Sequence, residues 1–426
     1  MQNMENGDDK DAGRSAPAVN KWTFGLTCVA IVAAGYLVAW LVHEPEPSES
    51  GDRAADSYVT APVTFPVQIP GCDVVEPPRQ GQSFGMIQSD TDEYDNPSYP
   101  WFSGPKALAM TRALQEALPG DIEIAFAPLR DSLVFQPILG DLAHNKGFGG
   151  WTRANATLLR GDRAGELSVD VREDTTPIPP CVAGALDERR HLPDGTIVDT
   201  DDTWSEWKGV RTLSRHATAY LPDGSVAHAN ATDQVPDGTG RTRALPLTVD
   251  ELVALVTDPG LRISAPVPPG TPNPPERCLR FSRSGTMIDQ TRTRRWNEAL
   301  ARVPLDGVTL DRPLGALLPG ESGGGVCQVV RVTTPGLQSR LSVVISTGKP
   351  LPQQPDNSSY DGATRRLPDG TVVESSERQG PPSRTVTVTH GSGVQIQVSS
   401  SDASGELLPL AVLEKIALNP GLGVLR

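Results

Sequence analysis

The chain has 426 residues, 38 Lys plus Arg against 52 Asp plus Glu, and a formal net charge of −14. At roughly 150 residues per domain, that length predicts two or three domains, and 41 Gly with 40 Pro exceed ordinary usage without making the chain low-complexity throughout. So acidic a balance lacks the Lys/Arg footprint that nucleic-acid phosphates require, and it argues against docking driven by anionic lipid.

The first element in chain order is the uncharged apolar run at residues 24–42. As a helix rising 1.5 Å per residue it is about 28 Å long, close to the roughly 30 Å hydrocarbon core of a bilayer. Trp22 and Trp40 stand at its two ends, where indoles prefer the interface. Lys10, Arg14 and Lys21 precede the run, whereas Arg53 alone occupies the comparable stretch after it. The positive-inside rule then predicts a cytoplasmic tail over 1–21, a single transmembrane helix over 22–43, and the bulk of the chain outside the membrane. The run exceeds the apolar core of a cleaved signal peptide, and no small-x-small site follows it closely. Cys28 lacks the Leu three positions upstream that a lipid-attachment site carries, so it reads as an ordinary membrane cysteine. Residues 44–71, rich in Pro and Glu, read as a solvated stalk.

The four remaining cysteines, Cys72, Cys181, Cys278 and Cys327, all follow the apolar run, on the side where disulfides persist. Three pairings are formally open. Cys72 with Cys181 and Cys278 with Cys327 is preferred, because each bridge then stays within one of two repeated units. No C-x-x-C or C-x-x-H spacing occurs, so neither zinc nor another metal or cofactor is expected.

Those units emerge from self-comparison. LPDGTIVD at 192–199 returns as LPDGTVVE at 367–374. In the same order, Leu167-Ser168-Val169 matches Leu341-Ser342-Val343, Glu116-Ala117-Leu118 matches Glu298-Ala299-Leu300, and Ser214-Arg215 matches Ser383-Arg384. Leu245-Pro246-Leu247 followed by Pro259-Gly260-Leu261 returns as Leu408-Pro409-Leu410 followed by Pro420-Gly421-Leu422. Ordered matches of this kind indicate a duplicated domain. The expected organisation is a first extracytoplasmic domain over 72–263, a Pro-rich linker over 264–276 and a second domain over 277–426. An extended linker of thirteen residues at about 3.1 Å each spaces the two by up to roughly 40 Å.

Each unit opens with an amphipathic stretch, 106–118 or 287–300, and continues with strand-like runs at 156–159 and 167–171 or at 341–346. Pro-Asp-Gly marks hairpin turns at 193–195, 222–224 and 368–370, and His390-Gly391-Ser392-Gly393 takes the place of the fourth. The run at 385–389 alternates Thr and Val, which predicts one buried and one wet face. Thr248-Val249-Asp250-Glu251 forms a capping box before a closing helix that Pro259-Gly260 stops. Strands grouped between two helices predict an α+β fold, an antiparallel sheet packed with N- and C-terminal helices in each domain.

Chemistry is less legible. Gly320-Glu321-Ser322-Gly323-Gly324 fits G-x-S-x-G, but a nucleophile elbow needs a strand before it and a helix after it, and here Pro319 precedes and a strand-like run follows. A hydrolase using Ser322 with His390 is the alternative to a protein without catalytic residues. His216 and His228 lie on opposite arms of one hairpin, with Asp233 the nearest carboxylate for a metal. The acidic clusters at 90–96 and 199–202 lack the sixth-position Gly and closing Glu of an EF-hand and read as solvated loops. Trp204 and Trp207, in a loop that the second unit shortens, are candidate partner contacts. Arg215 and Arg384, at equivalent positions, are candidates for the same role, with strand-edge ion pairs as the plainer account.

The 31 Arg against 7 Lys, the anchor plan and the 245–261 tail together resemble the membrane-anchored extracytoplasmic proteins common in actinobacteria. The resemblance implies an envelope location and no particular activity. The expectation is a non-enzymatic, single-pass envelope protein whose duplicated domains bind a protein, peptide or small ligand.

Overall fold

The computed structural model describes residues 58–78, 93–139, 150–235, 244–278, 288–321, 324–334, 337–352, 362–402 and 406–423. The expected tail and membrane helix, the stalk up to residue 57, and Ser322 lie outside these residues. Among the described residues no helix is long and apolar enough to cross a membrane. From Tyr58 onward the chain forms one compact unit.

The first domain comprises β1 (Tyr58–Thr60), β2 (Val75–Glu76), α1 (Gly104–Ala117), β3 (Glu123–Ile124), β4 (Trp151–Arg160), β5 (Arg163–Glu173), β6 (Cys181–Val182), β7 (Glu188–His191), β8 (Ile197–Trp207), β9 (Val210–Tyr220), β10 (Ser225–Thr232) and α2 (Val249–Val256). The second comprises α3 (Gln290–Ala301), β11 (Leu318–Pro319), β12 (Gly325–Thr334), β13 (Leu337–Ser346), β14 (Gly362–Arg366), β15 (Val372–Gln379), β16 (Pro382–Thr389), β17 (Gln395–Ser401) and α4 (Leu410–Ala417). The first sheet runs β3-β4-β5-β10-β9-β8, with β7 and β1 both pairing along the far side of β8. The second runs β11-β12-β13-β17-β16-β15-β14. Strand for strand the orders coincide, so the duplication is one of fold, and both domains are α+β.

The helices form where local signals and burial agree. The Ser103 side chain accepts from the Lys106 N–H, and α1 then buries Ala107, Met110 and Leu114 as one stripe. Asp289 caps α3 in the same way, and Thr293, Trp296 and Leu300 are its buried positions. Superimposing the caps pairs these residues one to one. The match of Glu116-Ala117-Leu118 with Glu298-Ala299-Leu300 is therefore one helical turn out of register: the counterpart of Ala299 is Ala113. A three-residue match carries little register information, whereas the spacing of the whole buried stripe fixes it.

The closing Pro-Gly-Leu motif explains itself through that alanine. After α2, the Asp258 carboxylate accepts from the Gly260 N–H at 2.7 Å, and a Cβ on Gly260 would stand 2.4 Å from the Ala113 Cβ. After α4, the Asn419 amide oxygen accepts from the Gly421 N–H at 3.0 Å, and a Cβ on Gly421 would stand 2.6 Å from that of Ala299. Each domain thus closes by pressing a glycine of its last turn onto an alanine of its first helix, and Leu261 and Leu422 bury beside it.

Three features differ from the sequence expectation. Residues 58–71 are not a solvated stalk: Tyr58–Thr60 forms β1 on the edge of β8, and Ile69 is buried. Residues 199–207 are not a loop but part of β8, paired with β9 up to Trp207 and Val210 around a two-residue turn. Lys208 and Gly209 both take positive φ there, the geometry that matches the twist of a tight hairpin. The Pro-rich segment, rather than spacing the domains, is docked on both. Buried Lys106 donates to the carbonyls of Arg262 and Ala265 at 2.7 and 2.6 Å, and Arg312 of the second domain donates to that of Asn273 at 2.8 Å. Proline carbonyls and their neighbours remain free acceptors, so a polyproline-like strap is readily pinned by cations on either side. Phe126 of the first domain packs against the core of the second.

Cys72 is bonded to Cys181 and Cys278 to Cys327, closing separations of 109 and 49 residues. Loops of that size correspond to about 4–5 kcal/mol each in a chain-entropy account.

Candidate functional site

In both sheets, alternate residues face the helices and form the core, leaving the opposite face to whatever its side chains make of it. In the second domain the strand register builds that open face row by row. One row is Val329, Ser342, Ser399, Thr385 and Ser376 across β12, β13, β17, β16 and β15. The next is Cys327, Val344, Gln397, Thr387 and Glu374, and the outer one is Arg331, Arg340, Ser401, Ser383 and Arg378. These side chains are small across the middle and long at the rim. They enclose a groove of about 740 Å³, walled by Arg340, Arg378 and Arg277 and floored by Ser342, Ser399 and Thr385.

Its lining carries three arginines, Arg277, Arg340 and Arg378, against one carboxylate, Asp402. Glu276 lies between Arg331 and Arg340 at 2.7 and 2.6 Å and offsets one of the two charges. Arg378 makes no ion pair among the described residues. Hydroxyl groups on a groove floor offer both donors and acceptors, and guanidinium groups at its rim offer planar donors suited to carboxylate or phosphate oxygens. A lining of this kind offers hydrogen bonds and ion pairs to a bound group.

The matching face of the first domain is filled. Its central row is Asn155, Ser168, Asn230, His216 and Asp201, and beside it runs Arg153, Asp170, His228, Thr218 and Asp199. Arg153 pairs with Asp170 at 2.5 Å, Arg189 with Asp199 at 2.6 Å, and Thr218 Oγ1 lies 2.8 Å from His228 Nδ1. The rings of His216 and His228 stack at 5.7 Å between centroids. Burial pushes the His216 imidazole down to about 4, with His228 adding to the shift. Burial lifts the Asp201 carboxyl to about 6, reinforced by Asp187 and Asp202. Asp233 is not part of this cluster: it is buried at the end of β10 and accepts from the Leu213 N–H at 3.0 Å. Among the described residues no group of three or more His, Cys, Asp or Glu is placed to hold a metal ion.

The partner-contact candidates separate. Arg215 donates to the Leu247 carbonyl at 2.8 Å and pairs with Asp202 at 2.8 Å. Arg384 does the same in the second domain, reaching the carbonyls of Leu407 and Leu408 at 3.2 and 3.4 Å and Glu377 at 3.2 Å. Both arginines pin the segment that leads into the closing helix. Trp204 and Trp207, three apart on one strand, point to opposite faces. Trp204 lies under the Arg211 guanidinium, 3.7 Å from ring centroid to Cζ, whereas Trp207 is 60% exposed with Lys208 Nζ at 4.9 Å. His390 sits in the β16–β17 turn with Nδ1 3.2 Å from Thr371 Oγ1. The row Gly325, Ser346, Gln395, Thr389 places that turn three strands from the start of β12, about 14 Å at the usual strand spacing.

Sequence reasoning missed the groove. Its signal was present in the alternation of polar and apolar residues along 385–389 and 395–398, but the rows exist only once five strands are in register.

No family model matches the chain, and no curated protein matches it in sequence. A solved structure, the complex of MucB with the periplasmic part of MucA, aligns at 10% identity over 63% of this chain and 92% of that one, with a TM-score of 0.14. A superposition so poor carries no argument about fold or function.

Proposed function

We propose that this chain is a non-catalytic, single-pass envelope protein, with residues 44–426 outside the membrane, whose second domain binds a peptide, protein segment or small ligand in the groove on its open sheet face. The groove carries the reading: a hydroxyl-lined floor and an arginine rim, on the one sheet of two whose face is not filled by its own side chains. The two disulfides support an oxidising compartment, and the apolar run at 24–42 supports the anchor.

The rim selects for anions and the floor for hydrogen-bonding groups. An acidic peptide and a phosphorylated sugar are therefore the first probes, with a neutral oligosaccharide as control. Calorimetry on the full chain in detergent micelles is expected to show saturable binding of an anionic probe that Ser399→Trp abolishes and Arg378→Ser weakens. Binding unchanged by both substitutions, or no binding of any of the three probes, overturns the assignment.

A further inference from the structure

Eleven large hydrophobic residues are well exposed among the described residues; six lie along the strap of residues 58–74, whose first three pair with the end of β8, and two, Trp207 and Val210, flank the β8–β9 turn. Around that turn the register is specific. Tyr58 stands opposite Trp207, and Trp207 opposite Val210, so the three side chains form one row on one face at neighbouring-strand spacing. They are 67%, 60% and 50% exposed. Lys208, at the turn, holds its ammonium 4.9 Å from the Trp207 ring centroid.

The fold does not require this row. The corresponding hairpin of the second domain turns through Gln379, Gly380, Pro381 and Pro382 and carries no aromatic residue there. What distinguishes the first domain is its place in the chain: β1 begins fifteen residues after the apolar run ends at Val42. Fully extended, that tether reaches about 50 Å, and as a flexible coil its mean span is about 20 Å. A tryptophan, a tyrosine and a lysine are the side chains suited to the headgroup layer, where an apolar ring body is buried and a polar end stays wet.

We propose that the Tyr58–Trp207–Val210 row docks on the interfacial layer of the membrane that bears the chain, an inference that rests on residues 24–42 being a membrane anchor. A row of three side chains is too small to hold a free protein on lipid, but a short covalent tether makes the contact intramolecular, so a weak affinity suffices. The acidity of the chain leaves anionic lipid unfavoured, so the contact is apolar and aromatic and insensitive to salt.

The test uses full-length protein in native membranes with a photoreactive benzoylphenylalanine replacing Trp207, and the same probe at Thr364 in exposed β14 as reference. After irradiation, mass spectrometry is expected to find lipid adducts at position 207 several-fold above those at 364, unchanged at high salt. Adducts at 207 only to protein, whether another chain or residues 44–57, or lipid adducts no higher than at 364, overturn the docking. Carbonate extraction of the same membranes keeps the two claims apart. Protein retained after extraction without lipid adducts refutes the docking alone, whereas protein released by carbonate refutes the anchor as well. Trp207→Ser with the probe at Val210 repeats the measurement without the aromatic ring and is expected to lower lipid adducts at 210 several-fold.

Discussion

At the scale of single residues, the sharpest constraint is the contact between Gly260 and Ala113, repeated as Gly421 and Ala299. Any side chain on either glycine meets a Cβ of the first helix at 2.4 or 2.6 Å, and a helix cannot move aside without disturbing its own buried stripe. Gly260→Ala is expected to lower the unfolding free energy by about 1–3 kcal/mol, as overpacking does, and Ala113→Gly in the same chain is expected to return much of it. A double-mutant cycle by urea denaturation checks this, and simple additivity of the two changes would refute the contact. Titration supplies a second prediction. Asp201 protonates more readily in the fold than in the unfolded chain, so its ionisation opposes folding above pH 6, and that cost fades as pH falls toward 4. His216 resists protonation in the fold, so its contribution is full above pH 6.5 and is lost as pH falls toward 4. The two slopes oppose each other in the same window and flatten the wild-type profile. Asp201→Asn is expected to raise stability by about 1 kcal/mol at pH 7.5, after discounting for its partial exposure, and to leave a profile that declines steadily below pH 6.5. A mutant curve parallel to the wild type would refute the assignment.

At the scale of elements, what could be read in the sequence was what local chemistry dictates. The capping box at Thr248 and Glu251, the Pro-Asp-Gly turns and the Thr/Val alternation of β16 all appear where the residues place them. The β8–β9 hairpin was misread as a loop because its outer half carries Asp, Trp, Ser and Glu rather than an alternating apolar set. Only the positive φ of Lys208 and Gly209 and the pairing beyond Thr203 make it a strand. The helix ends tell the domains apart: α2 has its capping box, whereas α4 has no side-chain cap at Pro409. Arg384, reaching two carbonyls just before α4, therefore holds more of its entry than Arg215 holds of α2. Arg384→Met is expected to cost about 1–3 kcal/mol, the value of a charge-assisted hydrogen bond, and to speed amide exchange through 410–417. The same change at Arg215 is expected to affect 249–256 less. Equal effects would show that the caps do not matter.

At the scale of the whole molecule, duplication produced two sheets of identical order whose open faces have diverged. Asn230, His216 and Asp201 occupy in the first domain the places of Ser399, Thr385 and Ser376 in the second. Small hydroxyl residues leave room where large polar ones fill it. A chain with two homologous domains is therefore expected to bind its groove ligand once. Calorimetric stoichiometry near two per chain, or binding that survives Ser399→Trp, would refute the difference between the faces. The repeat itself was visible in the sequence through its conserved turns and tail. The groove was not, because it depends on which residues five separate strands bring side by side, and the docked linker was not, because its anchors Lys106 and Arg312 lie far from it in the chain.

The arrangement around β1 also has a mechanical meaning. Tension applied through residues before Tyr58 acts first on β1, three residues held along the edge of β8, and peels them away one pair at a time. The load then runs along the strap to Cys72, where a covalent bond passes it to Cys181. The Arg189 N–H, donating to the Pro70 carbonyl at 2.9 Å, shares it just ahead of that bond. The bridge thereby keeps residues 73–180, with α1, β4 and β5, from being extended, and the pull passes on from Cys181 toward β7 and β8. The short edge strand acts as a yielding link, and the disulfide takes the first helix and the β4–β5 hairpin out of the line of pull.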